Sequence, residues 1–283
     1  MNESQPLTDQ LANISPLFVV GAVLVFTLVR LVLVKVRDGW ARSISETCDT
    51  INFVLVLAFL TIRPFVAQAF YIPSESMERT LLKGDRLVVD KVTYRFSQPA
   101  RGDVIVFEAP PNATNNQTGV DFIKRCVAIP GDTIEMRAPR ILVDGESLDT
   151  VGGFGYEAHE YLRRQLDLGE GSVKFFKDHL LINGAVRMEP AELATKIGRA
   201  GAKISIEPGQ TLINGQVLTE DFTREDPDYD HGPVVLGPGE YYMLGDNRNR
   251  SQDSHRWGPL ERNRMVGRAR FVFWPPLRMG IIR

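Results

Sequence analysis

Residues 51–82 read INFVLVLAFLTIRPFVAQAFYIPSESMERTLL, and the change of character inside this stretch organises the chain. Up to Phe70 it is an apolar run; from Ile72 it is short, polar and marked by a proline and two serines, Ser74 and Ser76. In an extended segment side chains alternate, so the two hydroxyls are expected to face one side and Glu75 the other. Paired hydroxyls at the mouth of an apolar segment raise two questions, whether that segment crosses a membrane and which group takes a proton.

Working upstream, Ile51–Ile62 is uninterrupted for only 12 residues. That length reaches about 18 Å, so the helix is expected to run on through Arg63 and Pro64, kinked near the outer interface, to Phe70. A first apolar run, Leu17–Val34, carries Arg30 as its one charge, placed near the far end. As a helix it spans roughly 27 Å, with Arg30 able to snorkel. Residues 1–16 hold no Lys or Arg, whereas Arg30, Lys35, Arg37 and Arg42 flank or fill the connection between the runs. The positive-inside bias therefore places that connection in the cytoplasm, and the N-terminus and everything after Phe70 outside. The organisation expected is an outside tail at 1–16, membrane helices at 17–36 and 51–70, and a cytoplasmic loop at 37–50. A cleaved signal peptide fits poorly, because no basic region precedes the first run and no small-residue cleavage site follows it.

Composition narrows the function classes. At 43% hydrophobic and 24% charged the 283-residue chain is ordinary globular material once the apolar runs are set aside. A net charge of −2 offers no basic excess for phosphates, so nucleic acid is not an expected partner. Cys48 and Cys126 are too few for a disulfide scaffold and are expected on opposite sides of the membrane. The four histidines, His159, His179, His231 and His255, lack metal-ligand spacing, so no metal or cofactor is expected.

Downstream, short β-like runs at Arg86–Asp90, Asp103–Glu108, Phe122–Ile129 and Thr133–Met136 are set off by the Gly-Asp and Pro-Gly turn signals of LLKGD, PARGD and AIPGD. Asp-Gly or Asn-Gly pairs in VDGE at Val143, INGA at Ile182 and INGQ at Ile213 predict three hairpins. Short helices are expected at Ala158–Leu166 and after Pro190, and residues 138–232 read as an inserted α+β subdomain without chemistry. Strands resume at Glu240–Leu244 and Ala269–Trp274.

The proton acceptor is sought next, because a serine hydroxyl is a weak nucleophile without one. Lys124 lies in the apolar strand FIKRC with Phe122 on its own face and Ile123 opposite. An ordinary lysine at pKa ~10.4 is neutral roughly once in 2,500 molecules at pH 7, and burial depressing it by ~3 units would make it a working base. A surface lysine beside Arg125 is the alternative reading of the same residues.

Four stretches in order, IPSESM, RGDVIVF, FIKRCVAIPGD and GDNRNRSQDSHRWG, follow the two apolar runs. Together they resemble the type I signal peptidase (leader peptidase) family over roughly Ile51–Val143 and Val234–Trp274. The resemblance implies a mainly β protein: two N-terminal transmembrane helices, then a largely antiparallel β catalytic domain (71–137 and 233–283) interrupted by the insert. It implies a membrane-bound serine endopeptidase of the inner or plasma membrane, active on its outer side. Its partners would be exported preproteins and the lipid bilayer. Ser76 would be the nucleophile and Lys124 the base. Ser74 and Ser76 would form the oxyanion hole, and Ser251 and Asp253 would support the dyad. Phe70, Ile72, Met77, Leu81, Phe122 and Ile123 would line pockets for the small side chains of Ala-X-Ala sites.

The departures are Glu75 for a usual glycine, Arg79 for a frequent proline, Asn249 for a common aspartate, and DSH at 253–255 in place of DSR. Glu75→Gly is expected to raise activity. His255 also permits a rival triad of Ser76, His255 and Asp253. Two other outcomes stay open: a catalytically silent membrane-anchored scaffold, and a Ser/Lys protease dedicated to one substrate.

Overall fold

The computed structural model describes residues 15–36, 38–148, 158–168 and 173–283. The expected outside tail lies almost wholly beyond the described residues, as do Arg37 and part of the insert. The chain divides into two compact units. One holds the segment up to Pro73 with Gly84–Gln98 and Val266–Arg283, and the other holds Ser74–Lys83 with Pro99–Met265.

In the first unit, helix α1 (Pro16–Leu33) is capped by Ser15, whose Oγ accepts from Phe18 N at 3.1 Å. The second helix starts earlier and stops sooner than its apolar run suggests: α2 extends over Gly39–Phe65, so most of the expected 37–50 loop is helical. Its middle, Val56–Ile62, is wound as a π-helix, with Arg63 N–H reaching back to Ala58 O. Pro64 has no N–H to offer the Leu60 carbonyl, and the wider turn accommodates that gap. Beyond Phe65 the backbone becomes a strand, Ala67–Tyr71, paired antiparallel with Arg86–Asp90 from Ala67↔Asp90 to Tyr71↔Arg86. The helix expected to reach Phe70 therefore ends five residues short, because these residues find backbone partners in a sheet instead. Among the described residues α2 is the one helix long and apolar enough to cross a bilayer, Leu17–Leu33 being shorter.

Polar contacts tie α1 to α2. Arg30 pairs with Asp49 at 2.8 Å, and Asn52 Nδ2 donates to Thr27 Oγ1 at 3.2 Å. Arg30 thus has a protein partner where snorkelling was expected. The strand Met265–Trp274 pairs with Arg86–Asp90, and Gly267 is required there: a Cβ would stand 2.4 Å from Asp90 O.

In the second unit, Val104–Glu108, Asp121–Ala128, Glu240–Leu244 and Leu260–Glu261 pair antiparallel in that order. A four-stranded sheet runs in the order Gln216–Val217, Gln210–Ile213, Thr133–Arg137, His231–Val235. Val127, Ile134, Met136, Tyr242 and Leu244 pack together in one core. A separate core gathers Ile141, Leu162, Phe175, Leu180, Leu193 and Ile206 beneath small sheets and the helices Ala158–Gln165 and Pro190–Lys196. The insert accordingly has its own apolar centre, but its limits contract. Gln210–Ile213, assigned to it from sequence, pairs with Thr133–Arg137, and Gln216–Val217 pairs in turn with Gln210–Ile213. All three hairpins form with both turn residues at positive φ: Asp144 53° and Gly145 91°, Asn183 51° and Gly184 68°, Asn214 53° and Gly215 78°. That is the type I′ geometry that Asn-Gly and Asp-Gly favour.

Candidate active site

Ser74–Lys83 is a chain of turns and not an extended segment. Glu78 N–H donates to Glu75 O at 3.0 Å and Leu81 N–H to Met77 O at 2.8 Å. The two hydroxyls still converge, Ser74 Oγ and Ser76 Oγ lying 3.3 Å apart, because the turn folds them together where strand alternation had been expected to. Ser74 and Glu75 are exposed and Ser76 is buried.

Lys124 lies on the strand Asp121–Ala128, where register places it opposite Ile105. Its ammonium stands 2.7 Å from Ser76 Oγ and donates to Ile123 O at 3.0 Å. Nζ also sits 5.5 Å from the centre of the Phe122 ring, on the face alternation assigns to both residues. Lys124 is 5% exposed, and burial lowers its pKa to about 8 against the opposing charges of Asp253 and Asp246. A nucleophilic hydroxyl in contact with a largely desolvated amine is the arrangement a serine needs for activation near neutral pH.

The turn carrying Ser76 is held from behind by residues 245–248. Asn247 N–H donates to Ser76 O at 3.1 Å. Gly245 packs so closely that a Cβ would stand 2.5 Å from Ser76 O and 2.3 Å from Ser251 Oγ. Asp253, fully buried, accepts from Gly245 N at 2.9 Å and so fixes that contact.

A family model described as signal peptidase, peptidase S26, matches residues 44–184 and 173–274. The chain belongs to the peptidase S26 signal peptidase family. It is 33% identical over 240 residues to a signal peptidase I of Leptolyngbya laminosa, covering 84% of this chain and 83% of that one. It is 32% identical to probable signal peptidase I-1 of Synechocystis sp., with 84% and 87% covered. With a signal peptidase I of Aquifex aeolicus it shares 31% identity, covering 78% and 81%.

Several expected details of this S26 site differ. Ser251 does not reach Lys124: its Oγ is buried without a hydrogen-bond partner among the described residues, wedged against Gly245. Met77 and Leu81 have no accessible surface and form the fully buried side of the turn that carries Ser76. Phe122 and Ile123 are half-buried beside the dyad. In the first unit, Phe70 is half-buried on its strand, while Ile72 is 2% exposed with its backbone bonded to Asp85 and Gly84. The rival triad is not assembled: His255 Nδ1 meets Asp253 Oδ1 at 2.6 Å, but Ser76 Oγ is engaged by Lys124 and Ser74. Among the described residues no cluster of three His, Cys, Asp or Glu could hold a metal ion.

The departures have physical content. Arg79 sits at φ 101°, which a proline ring locked near −65° cannot adopt, and its guanidinium donates to Thr223 O at 2.8 Å. Asn249 donates to Glu225 Oε2 and to Asp226 O, both at 3.1 Å, and accepts from Asp228 N at 3.0 Å. An aspartate there would lose both donations and face a carboxylate.

Sequence reasoning passed over the largest element of the site's support. Arg125, 1% exposed, forks onto Asp246 at 2.9 and 2.8 Å, donates to Gly102 O at 2.8 Å and Thr80 Oγ1 at 2.9 Å, and stacks 3.7 Å from the Phe222 ring centre. Arg248, equally buried, pairs with Glu220 and donates to Thr211 Oγ1 at 2.8 Å and Gly245 O at 3.1 Å. The available signal was Arg125 inside the apolar run FIKRCVAI, since a charge in such a strand must find a buried partner.

Proposed function

We propose that this signal peptidase removes N-terminal signal peptides from exported preproteins by an acyl-enzyme route in which Ser76 attacks and Lys124 moves the proton. The observation that carries the reading is the 2.7 Å contact between Ser76 Oγ and a desolvated Lys124 Nζ. Neutral Lys124 takes the hydroxyl proton as Ser76 Oγ bonds to the scissile carbonyl carbon. The tetrahedral oxyanion is received by Ser74 Oγ and the Ser76 backbone N–H, donors needed where charge develops. Lys124 then returns its proton to the leaving amine, and water resolves the ester by the reverse sequence. Phe122 and Ile123 supply apolar contact suited to small substrate side chains.

The proposal extends to placement. Helices α1 and α2 both cross the bilayer, with the connection rich in Arg and Lys on the cytoplasmic side and the catalytic region outside. Asp49 and Asn52 on α2 give Arg30 and Thr27 on α1 partners that a single inserted helix would lack. The half-exposed Trp274 then sits at the interface. Purified chain in lipid vesicles with a preprotein carrying an Ala-X-Ala site tests the function directly. Wild type is expected to yield the mature product while Ser76→Ala and Lys124→Ala do not; product from either variant refutes the dyad. Protection of the N-terminus and the 30–42 connection from opposite sides of sealed vesicles tests the topology.

A further inference from the structure

Asp253, whose charge acts on Lys124, is also in contact with His255. Its Oδ2 is taken by Gly245 N–H, while Oδ1 accepts the His255 backbone N–H at 3.3 Å and lies 2.6 Å from the His255 ring nitrogen Nδ1. The His255 side chain is 12% exposed and its ring stacks on Tyr229, centres 4.3 Å apart at 22°. Other groups around this cluster are His231, whose ring lies 6.2 Å from that of Tyr242, and Asp228, Arg248 and Arg256, which act on Tyr229. The Tyr229 and Tyr242 hydroxyls are buried without partners among the described residues, and burial raises both. His231 is held below the usual imidazole range, first by burial and then by the charge of His255.

We infer that His255 is a positioning residue for cleavage: through Asp253 it sets the electrostatic field on the Ser76–Lys124 dyad and so shapes the enzyme's pH dependence. Asp253 favours the ammonium form of Lys124 more than any other charge does. With His255 neutral, that carboxylate acts unopposed. When the ring takes a second proton, imidazolium and carboxylate cancel, the ammonium loses support, and Lys124 releases its proton more readily. The two sites therefore oppose each other's protonation, and activity falls less steeply on the acid side than a lone lysine would allow.

The inference rests on Lys124 being the base, and the test separates the two. The full chain in lipid vesicles is assayed for kcat/KM from pH 5 to 9 as wild type, His255→Gln, His255→Arg and Lys124→Ala. Wild type is expected to rise several-fold above the one-proton line at the acid end of this range. His255→Gln, never charged, keeps the midpoint but follows the one-proton line. His255→Arg, always charged, follows a one-proton line displaced to lower pH by roughly half a unit, the scale of one charge at moderate effective dielectric. Superimposable limbs, or a wild-type limb of strict one-proton slope, overturn the inference, and the latter needs no variant to fold. A change in melting temperature without a change in profile also counts against it. Activity in Lys124→Ala overturns the base assignment itself; a dead Lys124→Ala with coincident His255 profiles overturns the His255 role alone.

Discussion

Replacing Lys124 by methionine is expected to make the protein more stable and nearly inactive. In the folded chain burial brings the amine from 10.5 to about 8, a difference that corresponds to about 3 kcal/mol. The sign follows from proton counts. Below pH 8 the folded and unfolded chains both hold the proton, so the folded state bears the whole cost of a buried ammonium. Between 8 and 10.5 the folded chain has released the proton and the unfolded chain has not, so stability rises with pH across that window. Methionine removes the cost together with the contacts to Ser76 Oγ and Ile123 O, which are worth about 1 kcal/mol each. The net gain at pH 7 is therefore about 1 kcal/mol, and Ser76 Oγ keeps Ser74 as a neighbour. Denaturant titrations of the detergent-solubilised protein at several pH values supply the stability, and a preprotein assay supplies kcat/KM. The expected result is higher stability at pH 7, loss of the rise between pH 8 and 10.5, and at least a ~10³-fold fall in kcat/KM. Lower stability at pH 7 with an unchanged pH dependence would refute the account of Lys124 as a desolvated, strained base.

Four further outcomes are expected. Ser74→Ala lowers kcat by ~10- to 10³-fold with little change in KM, as loss of one oxyanion donor does; a purely KM effect would assign Ser74 to substrate binding. Arg125→Leu costs about 3–5 kcal/mol in denaturant titrations by leaving Asp246 buried and unpaired, and adding Asp246→Leu recovers much of it. Gly245→Ala forces a methyl against Ser76 O and Ser251 Oγ and is expected to cut kcat/KM more than ~100-fold, read in the same cleavage assay. Glu75→Gly raises kcat/KM by no more than about twofold, because the carboxylate is exposed and screened by salt; a tenfold rise would mean that it acts on the oxyanion directly.

Much of this molecule is legible in local pattern. Asn-Gly and Asp-Gly dipeptides specify their hairpins because the backbone conformation they permit is a property of two residues. The apolar runs announce helices, and period-two alternation places Lys124 with Phe122. Helix ends were less legible, since Phe65 rather than Phe70 closes α2 only because Ala67–Tyr71 finds a partner strand twenty residues away.

What the sequence by itself determined is the serine and the lysine proposed to react, Ser76 and Lys124, together with the β strands and the apolar helices, all of which depend on composition and short-range periodicity. Tertiary structure alone decided how the groups are used. Ser74 meets Ser76 through a turn, Met77 and Leu81 are fully buried, Ser251 packs against Gly245, and Asp253 is shared with His255. Each of these depends on which distant residue arrives within a few ångströms. For a buried charge such as Lys124, Arg125 or Asp253, that neighbour sets its energy, because the interior offers little water to screen it.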